Sequence, residues 1–312
     1  EKNAGDQLIG KSLQIAKKDI TGGAASAGAL QDFTRDPEVY RAIGGYRATR
    51  MRDLIPSRPM SSGSVEIMRQ NAFTNNAAPQ TAELAAKAQS AMTWELVTLS
   101  AKTVAHFEVA SRQALSDAPM LQGLIDQELT YGLDLQMDNQ ILNGDGTGQN
   151  FTGVLVDAAV QNVGDLTGGA AADKAKLAIN LIRSAITKCQ EFEYYNVNGI
   201  VISPATSELL ETAVGADGNY LLIPFNNRGD GTQTIWRVPV VVTNAIADDV
   251  FILGDWTMAA KLYNRENVTV RVSESHANLF IENGVAVLAE ERAVLGINAP
   301  KALCKGSFAG TL

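Results

Sequence analysis

The amino-acid sequence predicts an α+β fold, and three observations carry that expectation. A long amphipathic helix occupies residues 116–142, strand patterns lie on both sides of it, and helices and strands mix without strict βαβ alternation. The 312 residues suffice for one large or two ordinary domains.

In chain order, residues 1–36 are polar and Gly/Ala-rich and read as an extended arm. The segment "RATRMRDLIPSRPM", 47–60, carries Arg47, Arg50, Arg52 and Arg58 and is expected to cross a surface and meet acidic groups. Residues 63–73 alternate Val65 and Ile67 with polar positions, as a strand does, and 92–110 reads as one or two strands. Between them, 74–91 is polar and alanine-rich with no anchoring aromatic, so two strands hold out a projecting tip.

The helix at 116–142 has Ser116 or Asp117 as cap and Pro119 in its first turn. Met120, Leu124, Leu129, Leu135 and Ile141 contribute to its apolar stripe, over about 35 Å of helical rise. Gly132 is a weak point in mid-helix. A second helix, 173–190, starts at Asp173; "EFEYY", 191–195, covers its end. Residues 199–213 form a short buried strand and then a helix begun near Pro204. Strands follow at 238–246, 250–255, 267–275, 284–295 and 299–306.

Composition excludes several function classes. Hydrophobic residues make up 46% and charged residues 19%, which marks a globular chain. No apolar run reaches the ~18 residues of a membrane span, and residues 1–30 lack the apolar segment of a signal peptide. A net charge of −8 argues against nucleic-acid binding by bulk electrostatics. Cys189 and Cys304 show no ligand spacing and suit a reducing compartment; His106 and His276 lie far apart in sequence and read as structural.

The glycine cluster "NGDGTGQNFTG", 143–153, could cradle an anion through its amides. It lacks the phosphate-loop lysine and follows a helix instead of a strand, so it reads as a helix end and turn. No nucleophile elbow, dinucleotide fingerprint or metal cluster accompanies it, and no cofactor is implied.

Several stretches together resemble one family. They are "RDLIP" (52–56), "FTNNA" (73–77), "KTVAHFEVASRQALSDAPMLQ" (102–122), "YGLDLQMDNQILNGDGTGQNFTGVL" (131–155) and "AEERAVLGINAPKALCKGSF" (289–308). Their order and spacing resemble the major capsid proteins of tailed double-stranded DNA bacteriophages of the Hong Kong ninety-seven type, over about residues 47–308. The resemblance implies an N-terminal arm (1–46), a connecting segment (47–60), an extended β-hairpin loop with its flanking strands (61–110) and a peripheral domain with the spine helix (111–190). An axial domain (191–265) and terminal strands returning to the peripheral domain (266–312) complete it. It further implies hexamers and pentamers of one chain tiling an icosahedral shell around phage DNA in the virion, assembled in the bacterial host cytoplasm. Portal, maturation protease and scaffolding segment would be partners, and a decoration protein is possible. A start at Glu1 fits proteolytic processing. The same fold builds encapsulin compartments, the alternative reading.

The type member of the family joins its subunits by isopeptide bonds between a lysine and an asparagine, assisted by a glutamate. The resemblance places Lys87 near the lysine, Asn283 at the asparagine and Glu290 at the glutamate. Two departures stand out: the loop 74–87 is one residue longer, and Glu266 replaces an apolar pocket residue. Seven positions separate Asn283 from Glu290, about 23 Å on a straight strand and on opposite faces, so the groups are expected from neighbouring subunits. Against that stands the plain reading of a solvated lysine, a turn asparagine before Gly284 and a glutamate partnering a nearby arginine.

Overall fold

A computed structural model describes residues 50–309 apart from 118, 167–172, 216–218, 220–232 and 276–278. The expected arm and His276 lie outside the described residues. In chain order the elements are β1 (Ser57–Pro59), β2 (Ser64–Thr74), β3 (Ala91–Ser100), β4 (Lys102–Ser111), α1 (Arg112–Asp117), α2 (Pro119–Asn143), β5 (Gln161–Asp165), α3 (Lys174–Glu193) and β6 (Gly199–Ile202). They continue with α4 (Pro204–Glu211), β7 (Thr234–Ile235), β8 (Val238–Val242), β9 (Val250–Gly254), α5 (Trp256–Ala259), β10 (Ala260–Ser273), α6 (Leu279–Glu282), β11 (Gly284–Ile297) and β12 (Leu303–Ser307). The class is α+β, as the mixed pattern predicts.

Three sheets form. One has the order β1-β10-β11-β4, a second β5-β12-β9-β6-β8-β7, and the third is the hairpin β2-β3. The region expected as one or two strands is two, β3 and β4, broken at Ala101. The spine helix α2 is close to its expected extent. Ser116 does not cap it: α1 precedes it, and the Ser116 hydroxyl donates to the Gln113 carbonyl at 2.9 Å. Nor does Asp173 cap α3 with its side chain. Ser203 does cap α4, accepting from Thr206 N at 3.2 Å.

Gly132 is more than a weak point. The His106 ring lies where a β-carbon would stand, 2.7 Å from it, and His106 Nε2 donates to the Leu129 carbonyl at 2.8 Å. The helix thus approaches β4 closely enough for an imidazole to fill the gap, a structural role for His106. Beside this contact Leu129 and Leu133 of α2 pack on Val287 and Ala289 of β11.

Alternation along the six-stranded sheet divides its two faces. Ile200, Leu253 and Cys304 are in register across β6, β9 and β12 and face a core made with α3 through Ile182, Ile186 and Cys189. Val201, Ile252 and Leu303 face the other way, into a core shared with Met137 and Ile141 of α2 and Leu262 and Leu295 of the four-stranded sheet. The contact of the Cys189 thiol with that of Cys304, together with burial, pushes Cys189 well above the usual thiol range. It is a core group and not a nucleophile.

Candidate functional site

Adjacent residues on a strand point to opposite faces, and the pair Glu290–Glu291 divides its duties accordingly. Glu291 faces α2. Its side chain is fully buried, and its two carboxylate oxygens accept from the Arg52 guanidinium at 2.6 and 3.1 Å. Around this pair, Arg50 bonds Asp134, and Met51 N and Arg52 N point at the Asp138 carboxylate at 3.4 and 3.3 Å. The arginine-rich segment therefore meets carboxylates, those of α2 and β11.

Glu290 faces outward. Its register neighbours are Ala105 on β4 and Thr269 on β10, and its carboxylate lies 3.3 Å from the Arg271 guanidinium. Two residues along the same face, Leu288 stands between Phe107 and Arg271, followed by Ala286 between Val109 and Ser273. Phe107, Leu288, Ala286, Arg271, Val272 and Ser273 bound an apolar groove of about 440 Å³. On the other side of Glu290, Arg292 pairs with Glu266 at 3.3 Å. The departure at Glu266 is thus an ion pair where an apolar residue was expected.

Asn283 has φ 52°, the left-handed conformation that asparagine tolerates at a turn. It links α6 to β11, and its carbonyl accepts from Arg112 N at 2.9 Å. Its side chain is exposed. Lys87 is exposed as well, in the tip between β2 and β3. The tip is organised by its own bonds, among them Asn76 Nδ2 to the Gln89 carbonyl at 2.9 Å and Gln80 Nε2 to the Ala85 carbonyl at 2.9 Å. Within one chain the Glu290 carboxylate meets Arg271 and is bonded to neither Lys87 nor Asn283.

Sequence reasoning missed the two faces of the hairpin. The register Val65↔Leu99 and Ile67↔Val97 puts one apolar set on one face, where Leu99 approaches Gly296 of β11. Met68↔Leu96, Gln70↔Trp94 and, beyond a bulge, Phe73↔Met92 define the other face. Met68, Phe73, Met92, Trp94 and Leu96 there are 47–69% exposed. The signal in the sequence was available: Met92, Trp94 and Leu96 alternate along one face of the strand, and Val97 and Leu99 lie on the other, which leaves both faces of a two-stranded ribbon apolar.

The glycine cluster is filled from within. The Asp145 carboxylate accepts from Thr147 N at 3.0 Å, the Thr147 hydroxyl at 2.7 Å and Asn150 Nδ2 at 2.8 Å. A carboxylate already occupies the donors that an anion would need. These bonds, the Thr147 hydroxyl first, lower the Asp145 pKa to about 2. The contribution to stability is complete above the unfolded value near 3.9 and is lost as pH falls through about 2. Carbon-detected NMR titration should find Asp145 still ionised at pH 3, and Asn150→Ala should move its midpoint upward.

Among the described residues, no three His, Cys, Asp or Glu side chains converge as a metal site, and no helix is long and apolar enough to cross a membrane.

Comparison with known proteins agrees with this architecture. The phage capsid family model matches residues 35–308. The major capsid protein of Enterobacteria phage HK97 is 36% identical over 293 residues, covering 93% of this chain and 72% of that protein. Among solved structures, the capsid of a native GTA particle superposes with a TM-score of 0.71 at 16% identity, over 93% of this chain and 99% of that one. A chain of Mycobacterium phage Bobi gives 0.68 at 16% identity, over 93% and 98%, and one of Gordonia phage Cozz gives 0.66 at 19%, over 96% and 99%. The chain belongs to the phage capsid family, as a virion structural protein of the major capsid type with the Hong Kong ninety-seven fold.

Proposed function

We propose that this chain tiles an icosahedral shell as hexamers and pentamers, enclosing double-stranded DNA. The observation that carries the reading is the outer face of the β2–β3 hairpin. A two-stranded ribbon is marginal alone in water, and five large apolar side chains on one of its faces form a patch that monomers do not ordinarily leave uncovered. A neighbouring copy supplies the cover, and the exposed groove at Phe107 and Leu288 offers apolar surface for it. The family match and the solved relatives favour a phage shell over an encapsulin compartment. Scaffolding segment, maturation protease and portal are the partners such assembly in the host cytoplasm requires. The expected segments, an arm at 1–46, a hairpin loop at 61–110, a peripheral domain at 111–190, an axial domain at 191–265 and returning strands at 266–312, serve this assembly.

The same reading extends to covalent joining. The neutral Lys87 amine of one subunit attacks the Asn283 carboxamide carbon of a neighbour, a carbon–nitrogen bond forms, and ammonia leaves. A Glu290 carboxylate receives the amine proton, and the departing nitrogen takes one up. Lysine is charged in water at neutral pH, so the amine becomes nucleophilic only where subunit contact removes solvent. Exposed Lys87 and Asn283, and a Glu290 whose ion partner is Arg271, support a centre completed by assembly. Boiled, reduced denaturing electrophoresis of purified particles should show a ladder containing a Lys87–Asn283 linkage lighter by one ammonia, absent in Lys87→Ala. Particles that give a single band of one chain's mass rule out the joining and leave the shell. A chain that forms no particles rules out the shell.

A further inference from the structure

Three bulky residues at one corner of the six-stranded sheet adopt a backbone conformation suited to glycine. Tyr194 closes α3 with φ 58°, a position where glycine is commonest. Trp236 and Arg237, at φ 53° and 69°, make the two-residue turn between β7 and β8, which pair Ile235 with Val238. Turns with both φ values positive favour Asn-Gly, so Trp-Arg is a costly choice for chain reversal alone. Both aromatics face water, Trp236 at 52% and Tyr194 at 95% exposure.

These residues border two adjoining clefts. Arg183 and Gln190, spaced to share a face of α3, line one of about 320 Å³ with Asn196, Trp236 and Arg237. Gln190 and Asn196 also line the second, of about 590 Å³, with Tyr194 and Glu191. Arg50, Arg52, Arg271 and Arg292 each meet a carboxylate. Among the described residues, no carboxylate pairs with the guanidinium of Arg183 or Arg237. Trp, Tyr and Arg around a cleft are the side chains that dominate protein–protein binding energy, and two guanidiniums without a carboxylate select an anionic partner.

We propose that this corner is a contact between copies of the chain, in which Trp236 and Tyr194 are covered and a carboxylate of the second copy enters between Arg183 and Arg237. The contact rests on the shell-forming reading and names a surface for it beyond the hairpin. A second copy fits the charge: the chain carries 34 acidic against 26 basic side chains, so its neighbours offer carboxylates. A nucleic-acid backbone fits less well, because Glu191 lines the adjoining cleft and two guanidiniums make no basic track. Among the described residues β7 is also the edge strand of its sheet.

The test expresses the full chain, Trp236→Ala and the double variant Arg183→Gln/Arg237→Gln, and separates particles from free subunits by sedimentation at several salt concentrations. Circular dichroism checks that each variant is folded. The expected result is a tenfold or greater loss of particles in both variants, with the wild-type yield falling as salt rises and the double variant's residual yield insensitive to salt. The double variant alters only surface groups and carries the test alone should Trp236→Ala fail to fold. Folded variants that assemble with wild-type yield and salt response overturn the proposal and leave the shell intact. Variants that assemble normally but retain less DNA overturn it in favour of a nucleic-acid site. A wild-type chain that forms no particles overturns the shell reading and this contact with it.

Discussion

Glu291→Ala should destabilise the chain by about 3–5 kcal/mol, the usual cost of removing one partner from a buried ion pair. The carboxylate has no exposure, while the Arg52 side chain keeps 22% of its own. Its removal leaves the Arg52 guanidinium with Asp134, 3.8 Å away, as its remaining ion partner. The backbone amides of Met51 and Arg52 are held by a third carboxylate, Asp138, so the loss falls on the Arg52 side chain while the segment keeps its backbone anchor. Glu290→Ala, one residue earlier, should cost no more than about 1 kcal/mol, because its Arg271 partner is 65% exposed and its pairing is screened by water. Urea unfolding monitored by tryptophan fluorescence checks the contrast. Equal midpoints for the two variants would contradict the assignment of faces.

Trp256→Ala should cost a similar 3–5 kcal/mol, within the range for emptying a large aromatic site. Trp256 is the largest fully buried side chain. Its indole Nε1 donates to the Gly199 carbonyl at 3.0 Å, and its backbone N–H donates to Asn198 Oδ1, also at 3.0 Å. Gly199 has no room for a β-carbon, which would stand 2.9 Å from the indole. One side chain therefore joins α5, β6 and the core beneath the four-stranded sheet. For a chain of this size each kcal/mol lowers the melting temperature by roughly 2–4 °C, so differential scanning calorimetry should show a fall of roughly 6–20 °C.

The fold was legible where one face of an element is buried and the pattern repeats. The stripe of Met137 and Ile141 belongs to a helix long enough to show its period, and Pro204 marked the start of α4. What escaped were elements held by partners distant in sequence. β1 is three residues ending in proline, recruited by β10 in parallel register. β10 runs from Ala260, earlier than expected, because bulges between Asn264 and Thr269 break the alternation that would have announced it. The candidate site was legible mainly through family resemblance. Lys87, Asn283 and Glu290 carry no local signal that separates them from ordinary loop, turn and strand residues. Which of Glu290 and Glu291 faces inward depends on which side α2 covers, and strand periodicity alone does not tell.

The Arg52–Glu291 pair also acts as a register lock. A slip of β11 by one residue against its neighbours would bring a carboxylate out of the interior and push the outward one in. The same slip turns Val287 and Ala289 away from Leu129 and Leu133, so forces applied to the outer face of the sheet by whatever rests on it meet resistance to sliding. The outward groups keep fixed spacing because their immediate neighbours in sequence are anchored inside.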